Sequence, residues 1–380
     1  MLTARGTALA AGDAEGYLAD LSPEARAFEE PIARGGASLP LASVELTLDP
    51  SLKVDEDTSI DDASVDLIYR YDGLPAENTF RFTLLYDLAH DDGSWGVRAS
   101  KLKGGSALPI WVTGPIAFMQ TDHFLALFRP GLTEVEATLK LAEEARQRLS
   151  TKVTFPLENG FLMLLGRDRQ QYEEFSSRDV AASAVAQAET VYEITTTSIE
   201  TESRQIVLNL QQLRTEEASI ETFQHELGHL ALTPQTRPFT PPWLGEAAAM
   251  YLADTRPTRA WRAGLRSGRF NELSFTTLTR QRSLGAHDET ASAEYAYAAG
   301  AAHYLVEAFG AEKFWEFYGS FADVPSATVY EGVAGKDSAS TDAALSELAA
   351  ETSAEAMPRI FGFDEARLDI LVREWIDGEV

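Results

Sequence analysis

Two histidines and a glutamate, spaced as a metal-binding motif, carry the clearest chemistry in this sequence. Residues 221–232 read ETFQHELGHLAL, in which His225, Glu226 and His229 form an H-E-x-x-H pattern. Residues four positions apart share one face of an α-helix, so the two imidazoles can converge on a single point. This arrangement suits a Zn²⁺ ion, and Glu226 would lie close enough to act as a general base. We therefore predict His225 and His229 as zinc ligands and Glu226 as a catalytic residue.

A second helix is predicted to supply the third ligand. A proline-rich loop at residues 233–242 ends the first helix, and the segment PPWLGEAAAMYLA begins another. Glu246 on this second helix stands seventeen residues after His229. Two histidines and one glutamate leave a fourth position open, which is the arrangement of catalytic zinc sites. Zn²⁺ is thus the predicted cofactor, with His225, His229 and Glu246 as its ligands.

These residues resemble the peptidase MA-like group of the gluzincin zinc metallopeptidases. The matching positions are His225, Glu226, His229, Trp243, Leu244, Glu246, Ala249 and Tyr251. The segment EYAYAAGAAHYLVEAFG, residues 294–310, resembles a helix found downstream in the same family. The resemblance implies a hydrolase that cuts peptide bonds with a metal-activated water, with Glu226 as general base and a peptide or protein as substrate.

The resemblance also implies further parts of the site. A developing oxyanion needs a donor besides the metal, and Tyr295 fits the family position best, with Tyr297 next. The strand predicted over residues 204–210 corresponds to the family's substrate-binding edge strand, where a peptide could pair by strand addition. The alternative is that this segment is an ordinary core strand. His303, on the same predicted helix as Tyr295, is interpreted as a core histidine.

The sequence departs from the family pattern at two positions near Glu246. Ala247 follows it where the family commonly has glycine, and Met250 stands where some gluzincins place an aspartate that orients a ligating histidine. Such partners typically change metal affinity or activity by about 10- to 100-fold. Glu221 and Asp254 are both candidates to replace the aspartate. The alternative function is therefore a catalytically weak or inactive zinc-binding scaffold.

Residues 1–116 predict a separate α+β domain. Residues 2–20 carry Ala and Leu at helical spacing, and four later segments alternate apolar and polar residues. This pattern predicts a helix followed by a curved antiparallel sheet, with residues 111–114 as a possible fifth strand. The domain resembles the SnoaL-like cone of the nuclear-transport-factor superfamily. Such cones serve as enzymes, ligand pockets or dimer modules, so dimerisation through this domain is one expectation and the fold leaves its role open.

Residues 117–380 are predicted to form a gluzincin-type domain. Strand candidates at 153–157, 161–165 and 206–210 precede a chain that reads as almost entirely helical. The active-site helices are expected at about 217–254 and the helical C-terminal part at about 258–380. Because the predicted strands come first along the chain and the helices follow, we predict a small sheet packed beside a mainly helical half of the domain. The fold class of the whole chain is thus predicted as α+β.

Composition excludes several partners and sites. The chain has 32 Lys and Arg against 59 Asp and Glu, a net charge of −27 that repels phosphate backbones, so no nucleic-acid partner is expected. The absence of cysteine excludes thiolate ligands and disulfides. No apolar stretch reaches the roughly 18 residues that a membrane span needs. The first residues do not form a signal peptide, and an extracellular or cell-envelope location is implied only by the family resemblance.

An acidic segment between two predicted strands has two interpretations. It contains Asp55, Glu56 and Asp57, with Asp61 and Asp62 shortly after. It could bind calcium or be a solvated loop of an acidic protein. The spacing does not fit an EF-hand, which requires a glycine at position six and a glutamate at position twelve.

Overall fold

The computed structural model describes residues 1–52, 59–91, 93–153, 155–176, 184–213, 215–258, 263–264, 266–267, 271–284 and 288–378. The chain divides into two compact units. Unit 1 comprises Met1–Leu139, Glu158–Arg178 and Glu202–Gln211, and unit 2 comprises Lys140–Leu157, Asp179–Thr201 and Gln212–Val380. Among the described helices, none is both long and apolar enough to cross a lipid bilayer. Helices and two sheets together confirm the predicted α+β class.

The elements are numbered in chain order. The strands are β1 (Leu41–Leu48), β2 (Ile60–Tyr71), β3 (Phe80–Asp91), β4 (Ser94–Leu102), β5 (Ala117–Gln120), β6 (Phe124–Phe128), β7 (Phe161–Gly166), β8 (Ala186–Ile194) and β9 (Ile199–Asn209). The helices are α1 (Leu2–Ala10), α2 (Ala14–Tyr17), α3 (Pro23–Gly36), α4 (Val135–Ser150), α5 (Arg169–Phe175), α6 (Glu216–Leu232), α7 (Pro242–Ala253), α8 (Phe275–Arg280), α9 (Asp288–Phe309), α10 (Ala311–Gly319), α11 (Ser326–Val333), α12 (Ser338–Phe361) and α13 (Glu365–Gly378).

The first sheet is the antiparallel one that the alternating segments predict. Its order is β1-β2-β3-β4, with neighbouring strands antiparallel. Leu46, Leu67 and Phe82 lie opposite one another on three consecutive strands, and all three are buried. Residues on the other face of each strand are more exposed. This alternation gives the sheet one buried face, while the cone-like curvature stays a prediction.

The N-terminal helices differ from the single helix predicted over residues 2–20. Gly12 (φ +76°) separates α1 from α2. The helix α3 begins at Pro23, and the Ser22 side chain caps it by accepting a hydrogen bond from the N–H of Ala25. Proline is favoured in the first turn because its missing N–H is not needed there.

The possible fifth strand at residues 111–114 is wrong. These residues form a turn, and the buried Trp111 donates its indole N–H to the carbonyl of Ile32 on α3 at 3.2 Å. Gly35 allows this approach, because a Cβ there would lie 2.5 Å from Trp111 Cδ1. The tryptophan therefore anchors α3 instead of extending the sheet.

A charged cluster lies in the interior of unit 1. The guanidinium of Arg5 is 2.5 Å from Glu29 Oε2, and neither side chain is exposed to solvent beyond 1%. The Tyr17 hydroxyl donates to the same carboxylate oxygen at 2.6 Å, and the Tyr86 hydroxyl lies 3.2 Å from it. The Arg5 guanidinium also stacks over the Tyr17 ring at 4.5 Å. A buried charge pair needs such additional partners to offset its loss of hydration.

The second sheet has the order β5-β6-β7-β9-β8. Strands β6, β7 and the part of β9 in unit 1 pair in parallel, and every residue of β6 and β7 is buried. β9 begins in unit 2, where it forms a hairpin with β8 that is closed by a hydrogen bond from Thr195 N–H to the Ser198 carbonyl. The predicted strands at 161–165 and 206–210 are confirmed, whereas the described residues at 153–157 form no strand.

The edge-strand prediction for residues 204–210 is wrong. The segment lies in β9, which has a neighbour on each side, β7 and β8. Because β8 is the last strand in the order, it takes the edge position that the family resemblance implied for β9. The alternative prediction of an ordinary core strand is therefore confirmed.

Two further predictions about loops can be compared with the structure. The segment GKDSASTDA, residues 335–343, has the composition of an exposed loop, but α12 begins within it at Ser338, with the Asp337 side chain as its N-cap. Of the acidic segment, Asp55, Glu56 and Asp57 lie outside the described residues. Asp62 pairs with Lys101 at 2.6 Å.

His303 is a core residue of unit 2, as predicted. It is 3% exposed, its Nε2 lies 3.0 Å from the Thr255 carbonyl, and its ring stacks parallel to Trp375 with centroids 6.3 Å apart. Burial lowers the pKa of this imidazole, and nearby Arg256 acts in the same direction, against a hydrogen bond to Thr255. The neutral form is therefore the one that the folded protein favours.

This burial predicts a pH-dependent loss of stability. Below the unfolded-state pKa of about 6.5, the unfolded chain binds a proton on His303 more readily than the folded chain does, so stability falls as pH falls. We expect His303→Gln to weaken this dependence. Urea midpoints measured for both proteins between about pH 7.5 and 5 test the expectation, with His90→Gln, at a half-exposed position, as control. Equal slopes for wild type and His303→Gln would contradict it.

Candidate metal centre

The helix α6 carries both histidines and the glutamate of the motif. Its N-cap is Thr215, whose side chain accepts a hydrogen bond from the N–H of Ala218. Glu216 and Glu217 occupy the first turn, where negative charge interacts favourably with the helix dipole. Most of the second half of the helix is buried. These signals fix the start of α6, and with it the face on which His225 and His229 lie.

The helix α7 carries Glu246 and is anchored at its first turn. It begins at Pro242 and ends at Ala253, and its C-cap Asp254 has a left-handed conformation (φ +61°). The fully buried Trp243 donates its indole N–H to Thr279 Oγ1 at 2.9 Å, and the Thr279 hydroxyl donates to Glu365 on α13 at 2.5 Å. This chain of hydrogen bonds fixes the beginning of α7 one turn before Glu246.

The two helices approach closely at a glycine. A Cβ on Gly228 would lie 3.4 Å from Ala249 Cα and 3.5 Å from Leu252 Cδ1. These are ordinary van der Waals distances, so the surface of α7 lies directly against α6 at this position. The connection between the helices is also held, because Tyr318 and Thr236 hydroxyls lie 2.6 Å apart and the Thr236 hydroxyl donates to the Leu232 carbonyl. The separation of the histidines from Glu246 is therefore set by packing.

The three predicted ligands converge. Nε2 of His225 lies 3.1 Å from Nε2 of His229 and 3.0 Å from Oε2 of Glu246, and Nε2 of His229 lies 3.5 Å from the same oxygen. All three side chains are partly exposed, at 18–24%. Within the described residues, no other set of His, Asp or Glu side chains brings three ligand atoms together in this way.

This geometry fits a small four-coordinate cation. Zinc–ligand distances of about 2.0–2.1 Å in a tetrahedral site place ligand atoms about 3.3 Å apart, and the three observed separations bracket that value. Glu246 Oε2 is also buried and accepts no well-directed hydrogen bond from any described residue, although His225 Nε2 is near. A buried carboxylate oxygen without a donor is costly unless a cation neutralises it. The donor set of two imidazoles and a carboxylate is also one that zinc prefers.

The charges at the site are strongly coupled. Burial alone would lower the pKa of His225, but the Glu246 carboxylate and the charge of Glu226 raise it to about 9. Burial would raise the pKa of Glu246, yet the two imidazoles hold it well below its ordinary value. Protonation of His225 and metal binding at the same imidazole would therefore compete.

Glu226 is not one of the three converging ligands, and its side chain contacts β8. The side chain is 7% exposed, and its Oε2 accepts a hydrogen bond from the backbone N–H of Ala188 at 2.6 Å. The pKa of Glu226 is raised above its ordinary value, because the effect of burial exceeds the opposing effect of the charges of His225 and His229. A raised pKa makes a carboxylate a stronger base, which suits a group that accepts a proton from water.

The two predicted tyrosines point in different directions. Both lie on α9, which packs against α7, and positions two residues apart are about 200° apart around a helix. Tyr297 is buried against Phe275 at 5.4 Å, with the Arg373 guanidinium 4.9 Å from its ring. Tyr295 is partly buried on another side of α9, and its catalytic role stays a prediction.

Neither candidate for the missing aspartate is in a buried position. Glu221 and Asp254 are both exposed, and Met250 is 6% exposed. The contact of Ala188 with Glu226 is not among the contacts that the sequence predicts. A backbone N–H has no sequence signature, and the contact depends on how β8 lies over α6.

Comparisons with known proteins give distant matches. No protein-family model and no curated protein matches the chain. Solved structures similar to it include an M1 zinc metallopeptidase from Deinococcus radiodurans, at 13% identity and a TM-score of 0.30, covering 85% of this chain and 63% of that one. A two-domain M1 zinc metallopeptidase variant bound to L-arginine matches at 13% identity and a TM-score of 0.34, covering 83% and 62%. The chain thus spans less than two thirds of the length of these structures.

Proposed function

We propose that this chain is a zinc-dependent peptidase with its active site between α6 and α7. The observation that carries the proposal is the convergence of His225 Nε2, His229 Nε2 and Glu246 Oε2, with a buried acidic side chain, Glu226, beside them. Glu226 is not part of the ligand set, so its place next to a metal site is best explained by proton transfer.

Each residue has a distinct role in the proposal. His225, His229 and Glu246 would hold zinc, which as a Lewis acid polarises the substrate carbonyl and makes water more acidic. Glu226 accepts the proton of the attacking water on its carboxylate and then gives it to the nitrogen of the departing amine. Tyr295 is proposed as the donor to the oxyanion that develops on the substrate.

The substrate strand is proposed to be β8. It is the terminal strand of its sheet order and contacts the base through Ala188. An extended peptide that pairs with an edge strand has its backbone fixed along that strand. A peptide beside β8 would therefore meet Glu226 and the metal ligands together.

Metal analysis tests the metal site directly. We expect the wild-type protein to hold stoichiometric zinc and Glu246→Ala to lose it, because the two histidines alone leave the metal with too few protein ligands. Glu216→Ala, at an exposed position on α6, is the control and should keep its zinc. Absence of zinc in the wild type, or equal zinc in Glu246→Ala, would contradict the ligand assignment.

A second candidate function is a zinc-binding scaffold without appreciable activity. The observation that favours it is the apolar Met250 at the expected aspartate position, with Glu221 and Asp254 both exposed. A histidine ligand without an acidic partner is a weaker and less well oriented ligand. Failure of the zinc-loaded protein to cut any member of a broad peptide library would favour this second function.

A further inference from the structure

We propose that the backbone N–H of Ala188 is a positioning group for the catalytic base, holding Glu226 Oε2 so that Oε1 exchanges the proton. This inference rests on the proposed peptidase function. It assigns to β8 a task separate from substrate binding, namely the orientation of a side chain on α6.

The contact itself is strong for a backbone donor. The Ala188 nitrogen lies 2.6 Å from Glu226 Oε2, a close N–H···O contact, and hydrogen bonds to an ionised carboxylate are about twice as strong as neutral ones. Glu226 is 7% exposed, so water competes little for the carboxylate. A buried carboxylate that accepts one directed bond has a restricted orientation.

The donor is not part of the ladder with β9. Thr195 donates its N–H to Ser198 across the β8–β9 hairpin, and successive N–H groups of a strand point to opposite sides. The even-numbered residues of β8, including Ala186 and Ala188, therefore direct their N–H groups away from β9. The hydrogen bond from Ala188 to Glu226 thus uses an N–H that does not pair β8 with β9. Removing this N–H should therefore leave the pairing of the two strands intact.

The arrangement separates two tasks in the site. The metal ligands are positioned by α6 and α7, whereas the direction of the base is fixed by β8. A base that is misplaced by a fraction of an ångström loses rate, because proton transfer requires close alignment. Removing the Ala188 N–H should therefore lower turnover without changing the zinc content.

Ala188→Pro removes this donor, and Ala186→Pro is the matched control. Proline is tolerated on an edge strand where the N–H points away from the sheet. For the zinc-loaded full chain, we expect Ala188→Pro to lower kcat about 10- to 100-fold with little change in KM. Ala186→Pro removes an outward N–H of the proposed substrate strand that is not bonded to the base, so it should raise KM and lower kcat far less than Ala188→Pro does. Both variants should keep stoichiometric zinc. Equal effects of the two prolines on kcat would overturn the proposal.

A second measurement does not depend on activity. In NMR spectra of protein labelled selectively with ¹⁵N-alanine, the amide signal of Ala188 is assigned as the one that is missing from the spectrum of Ala188→Pro. We expect this signal to shift upfield and its hydrogen exchange to speed up in Glu226→Ala, but not in Glu216→Ala. An Ala188 amide that does not respond to Glu226→Ala would overturn the contact.

The two measurements also separate this proposal from the proposed function. If the Ala188 amide responds to Glu226 but the wild-type protein cuts no peptide, the peptidase function fails and the contact stands, with no catalytic role. If the protein is active, Ala188→Pro should add no further loss of kcat in a Glu226→Ala background, because the N–H acts only through Glu226. An additional loss there, as large as in the wild type, would assign Ala188 a different role and overturn the proposal.

Discussion

Replacing Glu226 with glutamine is expected to lower kcat for peptide hydrolysis about 100- to 10,000-fold, the range over which a general base contributes. The amide has nearly the same shape as the carboxylate and its oxygen can still accept the Ala188 N–H, but it cannot accept a proton from water. Zinc should remain bound, since Glu226 is outside the ligand set. Steady-state kinetics together with metal analysis of the same preparation provide the test.

The control is Glu216→Gln, which removes an acidic charge from an exposed position on the same helix. It should have wild-type kcat. A Glu226→Gln protein that retained full activity would exclude Glu226 as the base. A variant that lost its zinc would instead show that Glu226 contributes to metal binding, contrary to the geometry of the three converging ligand atoms.

The largest expected effect on stability comes from the interior of unit 1. Glu29→Gln leaves the guanidinium of Arg5 buried without its counter-charge, and breaking a buried pair in this way typically costs about 3–5 kcal/mol. The tyrosine hydroxyl of Tyr17 also loses its charged acceptor. The loss should appear as a lower urea midpoint for unit 1, measured by a probe that reports on this unit.

Two further variants isolate the buried charge as the cause. Glu30→Gln removes the partner of Arg34 in an exposed pair on α3, and exposed pairs contribute little, so the midpoint should barely change. Replacing Arg5 by Met together with Glu29 by Leu removes both charges and should recover much of the loss. A midpoint for Glu29→Gln equal to that of Glu30→Gln would contradict the expected role of the pair.

The metal ligands could be predicted from sequence because their arrangement is local. His225 and His229 are one helical turn apart, so their convergence follows from the geometry of a single helix. Glu246 required only one more step, a second helix that starts at the proline pair. The structure brings these three together, and the contacts that orient them, such as Trp243 with Thr279, join segments far apart in the chain.

Other elements were missed for identifiable physical reasons. β6 reads FLALF, and a parallel strand buried on both faces has no alternation that would distinguish it from a helix. α3 contains Pro31 and ends in two glycines, which obscure its helical pattern. The edge position of β8 follows from pairing partners distant in sequence, which is why the family resemblance led to β9.

The close approach of α6 and α7 also bears on which ions the site can distinguish. The helices pack against each other near Gly228 and Ala249, and the ligand atoms that they carry are 3.0–3.5 Å apart. An ion such as Ca²⁺, with six to eight oxygens at about 2.3–2.6 Å, would require the ligand atoms to separate. The helices would then lose packing contacts with each other, and each lost contact weakens dispersion attraction. The packing of α6 against α7 therefore favours a small cation over a large one.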